Sequence, residues 1–499
     1  MPRPSFERLF YIPDSDQDSL GIRLRRMLVD VILDSPHPID RPLPSTRNLA
    51  RQLGIARATV SSAYSELVHE GLLLSRQRSG YFINPSMRSD ARANSRYNER
   101  ARGEPATLAR PSADWQQRLN TQTAQMRNIT KPKNWRDLPY PFISGQVDPR
   151  EFPLAEWRQC CRNSLGVSSV SEWIGDNIIE DSEDLIEQIR KRLLPRRGIT
   201  AGRDEILLTL GSQNALYLLS QALVGPDTVV GLEAPGYPDA RNIFSMRTGN
   251  LRHIPVDRNG LTLTPDLAAC DYVYVTPSHQ APTTVSMSME RRRELMEQTR
   301  RSELIILEDD YDCDVNFDTQ PIPALKSMDT TGQVVYFASL SKSLAPGLRI
   351  GYIVAPKPLI DEIRALRRLM FRHPPMNIQH TLTLFLAQGS YDSLAYRLRK
   401  VHRRRWEILN AAMRDHLQSC RPASVYGGSS AWVEGPEGLD CERLAHAAMQ
   451  QGIFIEPGAI YFHTPQAPCR WFRIGFSAIP EDRIEPGIRK LDQLIRSLI

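Results

Sequence analysis

The chain has 499 residues, more than one core usually holds, so two or three domains are expected. Its 41% apolar and 24% charged residues exclude wholesale disorder, no apolar run reaches the roughly 20 residues of a membrane helix, and seven cysteines without a Cys-x-x-Cys pair argue against a disulfide framework or structural zinc. The net charge of +6 is uneven, with 22 Arg and Lys against 13 Asp and Glu in residues 1–136 and 41 against 44 beyond, which points to an anionic partner for the front of the chain, nucleic acid or membrane surface.

The first twenty residues lack a basic start followed by an apolar stretch, so the chain reads as cytosolic. From Leu20 to Leu33, apolar side chains at Ile22, Leu24, Met27, Leu28, Val31 and Ile32 form a helical stripe. A second helix is predicted after Ser45, an N-cap residue, with Leu49, Ala50 and Leu53 on one face and Gly54 as its stop. A third runs from about Arg57 to His69, with Val60, Ala63, Tyr64, Leu67 and Val68 inward and Arg57, Thr59, Ser61, Ser62 and Ser65 on the polar face. Two short helices around a Gly-containing turn form a helix-turn-helix pattern, whose second helix enters the major groove. Leu72–Ser75 and Tyr81–Ile83, joined by the basic turn Arg76–Gly80, read as a hairpin.

Residues 86–113 are rich in Arg, Ser, Asn, Ala and Pro and read as a flexible basic linker. From Trp115 onward apolar content recovers. Strands are predicted at Ile206–Leu210, Val229–Leu232, Tyr272–Val275, Leu304–Leu307, Val334–Ala338 and Ile350–Val354, alternating with helices in an α/β unit. Several end in polar residues, where an open sheet places its ligands. In Phe337–Gly351 a strand runs into Ser339, Ser341, Lys342 and then Arg349, a lysine nucleophile among phosphate-type donors. Ile305–Asp314 is an apolar strand ending in an acidic cluster, where Asp309 could hold a protonated pyridine nitrogen and Tyr311 a ring hydroxyl. A divalent cation site is the competing chemistry, and a solvated acidic loop the bland one. Gly211-Ser212-Gln213 opens a helix whose free amides suit an anion, and Tyr237 follows another strand in a stacking or a packing role.

The front segment resembles the winged helix-turn-helix of the GntR family, "LPS-x-R-x-LA-x-x-L-x-x-x-R-x-TV-x-x-AY-x-x-L-x-x-EG", at every fixed position from Leu43 to Gly71. The later pieces, with Thr276–Thr283 and Phe472–Phe476, resemble in order a fold-type I pyridoxal 5′-phosphate (PLP) aminotransferase. Together they resemble the MocR/GabR subfamily of GntR-type regulators, over roughly Leu20–Ile83 and Trp115–Ile499. The resemblance implies a multidomain chain. Residues 1–85 would be an α+β winged helix-turn-helix, 86–113 the linker, and 114–499 an α/β fold-type I aminotransferase-like unit (large part about 180–360, small part about 361–499).

It further implies that Lys342 forms the internal aldimine with PLP, Asp309 pairs with the pyridinium, Tyr311 meets the ring oxygen and Tyr237 stacks on the ring. Ser212, Gln213, Ser339, Ser341 and Arg349 would hold the phosphate. His279 or Gln280 would lie near the ring oxygen, and Arg473 would receive an effector carboxylate. Arg47, Arg57, Thr59, Ser61, Arg76 and Arg78 would face double-stranded DNA. The implied function is a homodimeric, cytoplasmic regulator that senses a small amine or amino acid as an external aldimine, with slow transamination at most. The alternatives are a working aminotransferase with a DNA-binding module, or a sensor of PLP itself. Two departures stand out. Thr284 replaces the Gly of the family's "P-T-G", restricting the backbone near the cofactor's edge, and 178–184 lacks a Gly-rich approach to the ligand site, which points to an unusual effector or altered catalysis.

Overall fold

A computed structural model describes residues 10–12, 18–33, 37–87, 114–121, 123–176, 180–312, 322–340, 342–423, 428–464 and 469–499. Ser341, Ile178, Ile179 and nearly all of the expected linker lie outside these. The chain divides into two compact units, Met1–Thr121 and Gln122–Ile499. Among the described residues, no helix is long and apolar enough to cross a membrane.

The first unit is built from α1 (Leu20–Leu33), α2 (Thr46–Leu53), α3 (Arg57–His69), β1 (Leu73–Arg76) and β2 (Gly80–Ile83). Ser45 Oγ accepts from Asn48 N at 3.2 Å, and Gly54 closes α2 at φ 66°. The stripes read from the sequence meet: Leu24, Leu28 and Ile32 pack with Leu49, Val60, Tyr64 and Leu67, and the hairpin adds Leu73 and Ile83. Tyr64 carries a phenol into this core, and its hydroxyl donates to Pro44 O at 2.9 Å. β1 and β2 pair antiparallel from Leu73↔Ile83 to Arg76↔Gly80, and the turn between them puts Arg78 at φ 63°.

The second unit holds an eight-stranded sheet of β3 (Ile206–Thr209), β4 (Val230–Ala234), β5 (Leu251–Asp257), β6 (Gly260–Leu261), β7 (Tyr272–Val275), β8 (Ile305–Asp310), β9 (Val334–Ser339) and β10 (Gly351–Val354). Its order is β3-β10-β9-β8-β7-β4-β5-β6. From β9 through β5 the pairs are parallel, and β10 runs antiparallel to both neighbours. Strands β8, β9 and β10, inside the sheet, are almost wholly buried, in keeping with their mainly apolar runs.

A second, antiparallel sheet orders β11 (Arg421–Pro422), β12 (Ser430–Glu434), β13 (Glu456–Pro457) and β14 (Trp471–Gly475) as β11-β12-β14-β13. It shares a core with the helices Ser390–His416, Cys441–Gln450 and Glu481–Leu498. Phe142, far upstream in sequence, is buried in that core, and Tyr140–Pro141 pairs with Ile453–Phe454. Residues 140–142 are thereby fixed to the core of the second sheet.

Candidate functional site

The strands β7, β8 and β9 run parallel and end side by side, so whatever follows them converges on one place. There a cavity of about 240 Å³ is lined by Ser212, Tyr237, Asp309, Tyr311, Lys342 and Arg473, residues spread over more than 260 positions of the chain. Asp309 is the penultimate residue of β8. Tyr274 OH donates to its Oδ2 at 2.9 Å, while among the described residues the buried Oδ1 has no hydrogen-bond partner. Burial pushes this carboxyl up to about 7. The Tyr311 hydroxyl is likewise buried and unpartnered. Lys342 leaves the turn after β9. Burial first, and the neighbouring Lys131 next, bring its amine down to about 8, so a reactive unprotonated fraction exists near neutral pH.

Around this centre stand donors suited to an anion. The helix α4 (Ser212–Leu223) begins at Gly211, which has φ 83°. A side chain on Gly211 would press on the Arg349 guanidinium, whose Nη2 donates to Leu210 O at 2.9 Å. Arg349 itself sits at φ 48°, a strained value for a non-glycine residue of the kind that gathers at functional sites. Gln213 does not line the cavity. Its Oε1 lies 2.8 Å from Tyr237 OH, and both side chains reach Asp239 Oδ2 at 3.0 Å. Ser339 is buried at the end of β9.

His279 and Gln280 are buried but are not lining residues; the next residue, Ala281, is. Gln280 is spent on its own loop, donating to Pro235 O at 2.8 Å and accepting from Thr283 N at 3.0 Å. Burial keeps His279 neutral, at about 4. Thr284, where the resemblance led to an expected glycine, adopts the left-handed conformation at φ 61°. The backbone path is retained with a β-branched residue on it, at a cost of about 1–3 kcal/mol.

The acidic cluster is divided among separate partners. Glu308 accepts from Leu325 N and Lys326 N at 2.8 Å, and Asp310 pairs with buried Arg197 at 2.7 Å. No group of three or more metal-ligating side chains occurs among the described residues. In the 178–184 stretch, Asp181 is buried against Arg367 at 2.8 Å and Ser182 caps a helix, and none of its described residues lines the cavity.

The cavity also contains residues not singled out from sequence. Lys131, Ser144, Gly145, Asp239, Tyr274, Ser429 and Glu456 all line it. Gly145, at φ 66°, lies against Lys342 Nζ, and a side chain there would fill the space between Lys342 and Lys131. The apolar pair before Ser144-Gly145 was a usable signal, as was a tyrosine at an inward position of β7. Lys131, between Thr130 and Pro132, offered none. Arg473 on β14 faces Glu456 on β13 across the sheet, with Nη1 3.7 Å from Oε2. Its Nε donates to Ser430 Oγ at 2.7 Å and its Nη1 to Tyr461 OH at 3.2 Å.

In the first unit, Arg47, Arg57, Arg76 and Arg78 are exposed, and Thr59 and Ser61 are half-exposed at the start of α3. Arg57 Nε reaches Thr46 Oγ1 at 3.4 Å, and the Arg76 guanidinium lies 4.5 Å from the Phe82 ring centre.

Residues 22–83 match the model of bacterial regulatory proteins of the gntR family, and residues 179–491 that of aminotransferase class I and II. The chain is 38% identical over 488 residues to the HTH-type transcriptional regulator TauR of Rhodobacter capsulatus, covering 98% of this chain and 99% of TauR. It is 29% identical to the probable rhizopine catabolism regulatory protein MocR of Rhizobium meliloti, over 91% and 89% of the two chains. The chain belongs to the MocR/GabR subfamily of GntR-type transcriptional regulators.

Like its MocR-type relatives, it joins a winged helix-turn-helix to an aminotransferase-like unit. That unit has the fold of LysN, the α-aminoadipate aminotransferase of Thermus thermophilus, solved in complex with N-(5′-phosphopyridoxyl)-L-leucine. The TM-score is 0.68 at 24% identity, over 77% of this chain and 99% of LysN.

Proposed function

We propose that this MocR-type protein is a PLP-dependent regulator that senses a small amine or amino acid in its aminotransferase-like unit and changes its hold on a double-stranded operator. The observation that carries the reading is a single cavity containing Lys342 with a lowered amine pKa and Asp309 with a buried, unpartnered oxygen. The donor set fits the cofactor. Asp309 Oδ1 and Tyr311 OH await partners, Gly145 leaves room beside Lys342, and hydroxyls and a guanidinium gather at the α4 terminus. When bound, PLP supplies a carbonyl carbon to which amines attach reversibly and a ring that withdraws electrons from them.

In this reading Lys342 anchors the cofactor through its amine, and Asp309, oriented by Tyr274, holds the proton on the ring nitrogen. Tyr311 donates to the ring oxygen, and Tyr237 covers the ring's face, fixed by Gln213 and Asp239. Ser212, Ser339, Ser341 and Arg349 hold the phosphate, Gln213 acting through Tyr237. His279 and Gln280 set the loop that presents Ala281. Arg473 receives an acidic group of the effector. The effector's amine takes the place of the Lys342 amine, and the difference in its affinity for two arrangements of the protein is the signal. Arg47, Arg57, Thr59 and Ser61 approach the major groove while Arg76 and Arg78 track phosphates, in a cytoplasmic two-fold dimer on two half-sites.

A working aminotransferase has no need of a basic winged helix, and rapid turnover would erase a sensor's signal; slow half-reaction is therefore the most that is proposed. The test is borohydride reduction of the cofactor-loaded protein, which should attach the cofactor covalently to Lys342, together with amine titrations followed by absorbance and operator binding. A Lys342→Ala protein that gives the same trapped adduct overturns the cofactor reading. Rapid multiple-turnover conversion of an amino acid and a keto acid, with no effect of either on operator binding, overturns the regulator reading.

A further inference from the structure

One end of the cavity holds charge that the described residues do not balance. Lys131 and Arg473, both cationic, share one counter-ion, the fully buried Glu456. Lys131 Nζ donates to Ser144 O and stands 3.7 Å from Glu456 Oε1, an ion-pair distance rather than a hydrogen bond. Glu456 Oε1 and Ser144 Oγ are buried and, among the described residues, have no hydrogen-bond partner. The Arg473 guanidinium spends Nε on Ser430 and Nη1 on Tyr461, and among the described residues Nη2 makes no hydrogen bond. Arg473 and the Ser144 hydroxyl are buried with donor capacity left over, and the partly exposed Lys131 brings a second cation beside them, so an anion at this end would complete the set.

We infer that Lys131 is a second effector-binding cation: with Arg473 and the Ser144 hydroxyl it receives the acidic group of the effector, and Glu456 is the internal carboxylate that competes with it for the two cations. The inference rests on the amine-sensing reading above and adds to it the ligand's class, an amine whose acidic group is only a short chain away. The shortness follows from Gly145. The position its Cβ would take lies 3.7 Å from Lys131 Nζ and 3.6 Å from Lys342 Cε, so the amine-exchanging end and the acid-receiving end flank one bare Cα. Burial, the largest influence, lowers the Lys131 amine pKa while Glu456 raises it, so an added anion both finds and favours the ammonium form.

The experiment titrates the full-length, cofactor-loaded protein with propylamine and with 3-aminopropanoate, equal in length and differing in the acidic group. Cofactor absorbance reports binding. Charge-assisted hydrogen bonds of this kind are expected to make wild type prefer the acid by about tenfold or more. Lys131→Met should abolish most of that preference, the acid losing far more than propylamine, and Lys131→Arg should restore it. Glu456→Gln, which adds no bulk, should strengthen the preference.

A Lys131→Met protein that still discriminates as wild type does overturns this inference alone. Equal loss of both ligands in Lys131→Met and Lys131→Arg also overturns it, since that marks a merely structural lysine. If Lys131→Met holds no cofactor, Glu456→Gln decides, and an unchanged or weaker preference is the overturning result. If neither probe moves the wild-type spectrum, amine sensing itself fails, and the inference with it.

Discussion

Replacing Gly145 by alanine perturbs the site at its tightest point without touching a charged group. Gly145 has φ 66°, where an L-residue is strained, and its new Cβ would fall inside van der Waals contact with Lys342 Nζ. The backbone strain is about 1–2 kcal/mol. That is a small fraction of the stability of a unit this size, so the fold should survive. The steric contact acts differently. Its partner is the far end of a flexible side chain, so Lys342 swings aside. Moving the amine by about 1 Å from its reacting position costs on the order of 10²-fold in rate.

The assay is the rate of absorbance growth when PLP is added to cofactor-free protein. Gly249→Ala serves as the control, because nothing lies within 4 Å of its would-be Cβ. Gly145→Ala should capture the cofactor roughly 10²-fold more slowly, and Gly249→Ala at the wild-type rate. Capture by Gly145→Ala within about twofold of wild type would refute the claim that Lys342 is held in place by the absence of a side chain at Gly145.

Capture should also depend on pH through the Lys342 amine. Only the unprotonated amine attacks, so the rate should rise about tenfold per pH unit up to about 8 and level off above it; a rate that keeps rising about tenfold per unit toward about pH 10 contradicts the lowered pKa. Arg57→Ala should weaken operator binding by about 1–3 kcal/mol and relax base preference at one position. Loss of Arg76 or Arg78 should weaken all sequences alike and flatten the salt dependence, as gel-shift titrations at several salt concentrations would show. Tyr64→Phe should destabilise the winged unit by about 1 kcal/mol in thermal unfolding, because Pro44 O loses its donor; no change would mean water replaces it. Arg197→Met leaves the buried Asp310 without its counter-ion, and should cost about 3–5 kcal/mol in denaturant unfolding.

Local chemistry made much of this protein legible from its residues. The stripe from Ile22 to Ile32, the Ser45 cap and the Gly54 stop each act within one or two helical turns, and all reappear in the structure except that Ile22, near the helix start, is exposed. The core strands were equally readable, since strands buried on both faces need unbroken apolar runs, and Asp309 and Lys342 could be placed because each follows such a run directly. Other features had no local signature. Strand β10 reads like its neighbours, yet it enters the sheet antiparallel between β3 and β9, a choice made by the connection rather than by its side chains. His279 and Gln280 carry the polar groups expected near a ligand, but the loop's own hydrogen bonds turn Gln280 inward and leave Ala281 on the cavity.

The charge at the acid-receiving end was the least visible in sequence. Lys131 sits in an unremarkable loop, and it reaches Glu456, more than 300 residues away, because Phe142 and Tyr140 anchor the intervening segment in the second core. Glu456 meets Arg473 through the register of an antiparallel pair, in which facing residues have no fixed separation in sequence. Periodicity, caps and motif spacing are short-range properties of the backbone, and the sequence determined them alone, down to the lysine and the aspartate at the strand ends. Which charges share one small volume depends on long-range packing and strand register, so only the tertiary structure decided that Lys131, Glu456 and Arg473 line the same cavity.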